Sequence, residues 1–112
     1  MNTRIITATV TTLLAVALTG CSSDDEPADP TKVDDAASFA CEDFARGFKA
    51  AQTRSARIDL ADKVNKWAQS SATNRIADNA TALARGSEGS DAAWQLGADA
   101  FAQACLDAGW EG

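Results

Sequence analysis

The stretch SDAAWQLGADAFAQACLDAGW (residues 90–110) decides the fold. Five of its apolar residues, from Trp94 to Ala108, recur at intervals of four and three positions, which predicts one amphipathic helix. Ser90 is a good N-cap, and Gly109 is a good residue to end the helix, with Trp110 folding back toward Cys105. The predicted buried face consists of Trp94, Ala98, Phe101, Cys105 and Ala108.

Three more helical patterns precede this one, and none of the segments alternates with the period of a strand. Gly86 stands where the third helix would end, before the loop GSEGS (residues 86–90). The sequence therefore predicts an all-α domain over residues 34–112, a small four-helix bundle, with three helices plus a turn as the alternative. The first three helices are expected at residues 34–53, 55–70 and 73–85.

The first twenty residues differ from the rest of the chain. MNTR (residues 1–4) carries one basic side chain, and IITATVTTLLAVAL (residues 5–18) is uncharged and mostly apolar. A helix of this length would measure roughly 21 Å, which is too short for a hydrocarbon core of about 30 Å. The pattern is typical of a secretory signal, and a short retained membrane anchor is the alternative.

The residues Leu18, Thr19, Gly20 and Cys21 close this apolar stretch. They resemble the lipobox of bacterial lipoproteins, in which a bulky apolar residue and two small ones precede a cysteine. The resemblance implies that residues 1–20 are removed by cleavage between Gly20 and Cys21, and that Cys21 carries the acyl chains, palmitate among them. Two or three chains anchor a protein stably, whereas one chain binds only marginally. A free or intermolecularly bonded Cys21 thiol is the alternative.

The resemblance also implies a location. The chain is expected to be exported and held on the outer face of the cell membrane, and Ser22 would permit transport to an outer membrane in a Gram-negative cell. In composition and layout the domain is similar to small alanine-rich lipoproteins of actinobacteria and their phages. Some phage and prophage lipoproteins of this size exclude later phages, which makes superinfection exclusion one candidate role.

Residues 21–33 join the signal to the helices. After Cys21 they read SSDDEPADPTKV, which has two prolines, several acidic residues and little apolar surface. Such a composition predicts a disordered, acidic tether. A calcium site in DDEPAD (residues 24–29) is the sharper alternative, but the segment lacks the glycine and the later glutamate of an EF-hand loop.

Cys41 and Cys105 fall in the apolar faces of the first and last helices. Two such thiols in an exported protein are expected to form a disulfide. If those helices run antiparallel, Gly47 and Gly97 lie near one level of the pair, and we expect them to let the two backbones approach. Redox catalysis is less favoured because the CxxC spacing is absent.

The composition limits the possible functions. The chain has a net charge of −6, which does not favour a nucleic-acid partner, and it has no histidine, which excludes the usual catalytic triads. Two cysteines without histidine make a poor zinc site, and no glycine-rich phosphate loop occurs. We therefore expect no enzyme activity, no metal and no cofactor. Acid-first pairs at Glu42–Arg46, Asp59–Lys63 and Asp62–Lys66 indicate solvated helix faces.

The three tryptophans are the remaining candidates for function. Tryptophan is enriched at binding hot spots, and Trp67 or Trp110 could be partly exposed, whereas Trp94 is expected in the core. The favoured hypothesis is a non-catalytic protein-interaction module of the cell envelope, with Trp67 and Trp110 as the candidate partner surface. A small-ligand carrier is the alternative, because a helical bundle can enclose a pocket.

Overall fold

The computed structural model describes residues 29–112, and the predicted signal peptide 1–20, the lipid site Cys21 and the tether up to residue 28 lie outside the described residues. The described residues form an all-α bundle of four helices, as the sequence predicts. The third pattern is a full helix and not a turn. The helices are α1 (Asp35–Gly47), α2 (Arg54–Ala68), α3 (Ile76–Ser87) and α4 (Asp91–Asp107).

Three of the four helices begin at a capping side chain. Asp34, Thr53 and Ser90 adopt extended backbone conformations, and the side chain of each accepts a hydrogen bond from the backbone N–H three residues later. The start of α3 differs, because Arg75 has a φ of 68° and its side chain forms no cap. This left-handed residue turns the chain from the Ser71–Asn74 segment into α3.

The end of α4 confirms the predicted stop. Gly109 has a φ of 86°, the N–H of Trp110 donates to the carbonyl of Cys105 at 3.0 Å, and the N–H of Gly109 donates to the carbonyl of Leu106 at 3.0 Å. These two bonds form a Schellman motif. The glycine is needed at this position because an L side chain at such a φ is strained.

Two predicted boundaries and one predicted role are wrong. α1 ends at Gly47 rather than near residue 53, because Thr53 must be extended in order to cap α2. α3 begins at Ile76 rather than at Thr73, whose hydroxyl donates instead to the carbonyl of Lys32 at 2.8 Å. Gly86 does not end α3, since it is buried within that helix.

The helices pack mainly as neighbours in sequence, α1 on α2, α2 on α3 and α3 on α4, whereas α1 and α4 approach at few positions. The Cys41–Cys105 disulfide joins these two helices with a Cα–Cα distance of 5.9 Å, and it confirms the predicted bond. The core around it is apolar, and its largest fully buried side chains are Phe101, Ile76, Leu83 and Val64 with the two cysteines.

Gly47 and Gly97 allow close approach of helix pairs other than the predicted α1–α4 pair. A Cβ on Gly47 would lie 2.6 Å from a methyl carbon of Leu60 on α2, and a Cβ on Gly97 would lie 3.2 Å from the Leu83 Cα on α3. Gly47 thus brings α1 close to α2, and Gly97 brings α4 close to α3. The expectation that they bring α1 close to α4 is wrong, and the disulfide makes that connection without them.

The ordered chain starts before the predicted domain boundary. The carbonyl of Pro30 accepts from the N–H of Asn74 at 2.8 Å, and the N–H of Val33 donates to the carbonyl of Ala108 at 3.0 Å. The predicted disorder of residues 21–33 is therefore wrong for residues 29–33, which lie against the start of α3 and the end of α4. Composition alone could not predict these bonds because their acceptors and donors lie at least 40 residues away in sequence.

Candidate interaction surface

An aromatic pair lies on the surface between α1 and α2. The rings of Phe39 and Trp67 have centroids 4.8 Å apart and planes inclined by 38°. Phe39 is 48 % exposed and Trp67 is 40 % exposed, so the pair shields only part of its apolar surface from water. An exposed pair of large aromatic side chains is the kind of patch that interaction sites use.

One basic and one acidic residue lie a helical turn from this aromatic pair. Lys63 lies one turn before Trp67 on α2, and Asp43 lies one turn after Phe39 on α1. Lys63 is exposed, whereas Asp43 is half-buried. The patch therefore has an apolar centre with charges of both signs at its rim, which is the composition of a protein-binding surface.

Trp94 belongs to the core, as predicted. Its side chain is buried, and the guanidinium carbon of Arg57 lies 5.7 Å from the centre of its ring. Arg57 also donates to the carbonyl of Ala51 at 3.1 Å and forms an ion pair with Asp91 at the start of α4. Through these contacts Arg57 stabilises the end of the bundle at which the α1–α2 and α3–α4 loops lie.

Trp110 is half-buried and packs against the core, so less of it is open to a partner than of Trp67. It lines a shallow cleft with Glu42, Ala45 and Arg46 on the side of α1 away from α2. The structure thus places the two predicted partner residues beside the same helix but in separate clusters. That Trp110 forms part of a partner surface stays a prediction.

The ion pairs of residues 29–112 only partly follow the predicted pattern. Glu42 and Arg46 form the expected pair. The predicted Asp59–Lys63 and Asp62–Lys66 pairs are not formed, although all four side chains are exposed, as the prediction of solvated faces requires. Exposed pairs contribute little free energy, which allows these side chains to stay apart.

A groove runs along the outer side of α3 and α4. Its volume is about 350 Å³, and its lining is mostly apolar. Leu96 stands at its edge and is 73 % exposed. The other lining residues are Arg85 and five small residues, Ala82, Gly86, Ala93, Gly97 and Ala100. This groove and Phe39 were both missed at the sequence level, although Leu96 and Phe39 stand outside the apolar faces of their helices, which is a usable signal of exposure.

The carboxylate of Asp34 connects α1 to the segment between α2 and α3. It accepts from the N–H of Ala37, the hydroxyl of Ser71 and the N–H of Ala72, each at 2.8 Å. Burial raises the pKa of Asp34, but these hydrogen bonds together outweigh it and hold the pKa below the usual value of 3.8. Asp34 is therefore a structural carboxylate that is fixed in its ionised form.

The described part of the chain shows no group of three or more side chains arranged to hold a metal ion. Among residues 29–112, every helix is too short or too polar to cross a bilayer. No protein-family model, curated protein or solved structure matches the chain.

Proposed function

We propose that the protein is a bacterial envelope lipoprotein, anchored through Cys21, whose helical domain binds another protein without catalysing a reaction. The observation that carries this proposal is the exposed Phe39–Trp67 pair, which lies on a domain whose other aromatic side chains are buried or half-buried. The Cys41–Cys105 disulfide is consistent with an extracytoplasmic location. The apolar segment and lipobox-like residues before Cys21 support the anchor.

The position of the pair supports a role close to the membrane. Phe39 is in the second turn of α1, and Trp67 is one residue from the end of α2, so both lie near the end of the bundle where Pro30 and Val33 join it. Asp29 is eight positions after Cys21. Even a fully extended chain of that length spans at most about 28 Å, which keeps the domain close to the lipid. The expected partner is thus a protein at the membrane surface.

The anchor is tested by labelling cells with a radioactive fatty acid and separating their membranes. The full chain should carry the label and sediment with membranes. The Cys21→Ser variant should lose the label and keep residues 1–20 uncleaved. A Cys21→Ser chain that is labelled and sedimented like the wild type would contradict the anchor.

The binding surface is tested by placing a photoreactive amino acid at position 67 in the full chain in intact cells. We expect one discrete crosslinked protein band. Position 106 is the control, because Leu106 is 60 % exposed on α4, away from the aromatic pair. Crosslinks to lipid alone at position 67 would mean that the patch lies on the bilayer, and equal bands at both positions would mean non-specific contact; either result contradicts a protein-binding patch.

A further inference from the structure

The α3–α4 groove has a physical origin in two glycines. A Cβ on Gly86 would lie 2.7 Å from the carbonyl oxygen of Ala93, and a Cβ on Gly97 would lie 3.2 Å from the carbonyl oxygen of Ala82. Both glycines are buried at the contact and allow the helix backbones to approach closely. Because the neighbouring lining residues are mostly alanines, no side chain of residues 29–112 fills the space above this contact. The result is an apolar trough beside an exposed leucine.

We propose that this groove binds a second copy of the same chain, with Leu96 of each copy inserted into the groove of the other. The chain supplies both halves of the contact on one surface, an apolar side chain and an unfilled hollow next to it. An interface in which the same patch serves both subunits is the commonest way in which proteins form dimers. The proposal rests on the groove and does not depend on the lipid anchor or on the Phe39–Trp67 patch.

The arrangement of the two copies follows from the helix geometry. At 100° per residue, Leu96 and Asp99 lie on one side of Ala100 around the circumference of α4, and Ala93 and Gly97 lie on the other side, toward α3. A two-fold axis perpendicular to α4 would bring the Leu96 sides together and leave both grooves empty. A two-fold axis parallel to α4 brings the Leu96 side of each copy onto the groove side of the other. The dimer is therefore parallel, with Ala100 near the axis.

Charge complementarity supports the parallel arrangement. Arg85 lines the groove, and its neighbour Gly86 contacts Ala93 and Trp94, which sets the level of Arg85 along α4. The parallel axis brings Asp99 of the second copy to the edge of the groove that Arg85 lines. Asp99 then lies about one helical turn from the level of Arg85, within reach of the Arg85 side chain. Within residues 29–112 Arg85 forms no ion pair, and the carboxylate of Asp99 accepts a hydrogen bond from Gln95.

The parallel arrangement also places the Asp29 ends of both copies at the same end of the dimer. Two chains that enter from one membrane can therefore pair in this way, whereas antiparallel copies could not both keep this end toward the membrane. The apolar contact is small, so the dimer is expected to be weak when the chain is dilute. Confinement of both copies to one surface would raise their effective concentration and favour the dimer.

The test is photo-crosslinking of the full chain in intact cells with the photoreactive residue at position 96, and at position 106 as the control. Position 96 should give a band of twice the chain mass that contains only this protein, and position 106 should not. The same chain purified at high concentration in detergent gives a second reading that does not require correct anchoring. A dimer band absent in both settings, a band containing another protein, or equal bands at both positions would overturn the proposal.

Charge reversal tests the parallel register. Arg85→Glu and Asp99→Arg should each reduce the position-96 dimer band by about fivefold, since each places like charges opposite one another twice in the dimer, and the double variant should restore it. All these side chains are exposed, so circular dichroism melts should stay unchanged and show that the fold is intact. Single variants that leave the band unchanged, or a double variant that does not restore it, would overturn the parallel dimer.

Discussion

The guanidinium of Arg57 lies 5.7 Å above the ring of Trp94, and this contact connects α2 to α4 across the bundle. The same guanidinium donates to the carbonyl of Ala51 at 3.1 Å and pairs with Asp91. One side chain thus holds the α1–α2 loop, the start of α4 and a core aromatic in a fixed relation. Its surroundings are half-buried, where such contacts contribute more than at an open surface.

Arg57→Met tests this role because methionine keeps most of the aliphatic packing and removes every hydrogen bond. We expect the free energy of unfolding to fall by about 2 kcal/mol, measured by urea denaturation. Asp91→Asn is the matched control. The Asp91 side chain is 93 % exposed, and an exposed pair contributes under about 1 kcal/mol. Equal losses in the two variants would contradict the contacts with Ala51 and Trp94 as the main contribution.

Asp34 should make the stability depend on acid pH. Burial raises the pKa of Asp34, but its hydrogen bonds lower it by more, so the pKa in the folded protein lies below the unfolded value of 3.8. A carboxylate with a lowered folded pKa stabilises the fold above its unfolded pKa, and this stability is lost as the pH falls through the folded pKa.

Asp34→Asn should cost about 1–2 kcal/mol at pH 7, because the amide nitrogen cannot accept the hydrogen bond from the N–H of Ala72, and the difference from the wild type should shrink below about pH 4. The measurement is urea denaturation at several pH values between 7 and 3. Asp35→Asn is the control, since Asp35 is exposed and caps nothing. A difference that stays constant down to pH 3 would show that the charge of Asp34 does not matter.

Arg75→Gly is expected to stabilise the protein. The φ of 68° at Arg75 is costly for a residue with a Cβ and free for glycine, but glycine also increases the entropy of the unfolded chain. The net gain should be about 0.5–1 kcal/mol in a thermal or urea melt. Arg75→Ala keeps the backbone strain and loses only the long, exposed ion pair with Asp107, so it should show no gain. A gain of equal size in Arg75→Ala would exclude the backbone explanation.

Gly86→Ala should be destabilising although alanine is the better helix former. The added Cβ would lie 2.7 Å from the carbonyl oxygen of Ala93, so α3 and α4 must move apart. We expect a loss of about 1–3 kcal/mol. Gly109→Ala tests backbone strain without a steric clash, because no atom of the described residues lies within 4 Å of the added Cβ while the φ of Gly109 is 86°. It should cost about 1 kcal/mol. A stable Gly86→Ala variant would contradict the close α3–α4 approach.

Periodicity was sufficient to predict the helices and the disulfide, because both depend on which face of a helix is apolar. The spacing of Cys41 with Phe44 and of Cys105 with Phe101 places each thiol toward the core, and two such thiols are expected to pair in an oxidising compartment. The stop at Gly109 was equally local, since a Schellman motif involves only the last turn.

Pairing between distant segments could not be predicted from such patterns. The Asp34 carboxylate bonds to Ser71 and Ala72, and Lys32 bonds to Thr73, across 37 to 41 positions of sequence. No period in the chain records these partners. The glycines show the same limit, because a small residue in a helix indicates a close approach without indicating which neighbouring helix approaches. The exposed Phe39–Trp67 pair likewise depends on how α1 lies beside α2.

The way residues 30–33 join the bundle has a mechanical consequence. A pull on the chain before Asp29 would load the backbone hydrogen bonds between Pro30 and Asn74 and between Val33 and Ala108. Asn74 precedes α3, Ala108 directly follows α4, and the pulled segment itself leads into α1. If those bonds broke, unravelling of α1 would stop at Cys41, where the force passes through a covalent bond into α4. When the opposing force acts on the end of α4, the disulfide thus shields α2 and α3 from the tension, and the domain would extend by only a short segment before it resists.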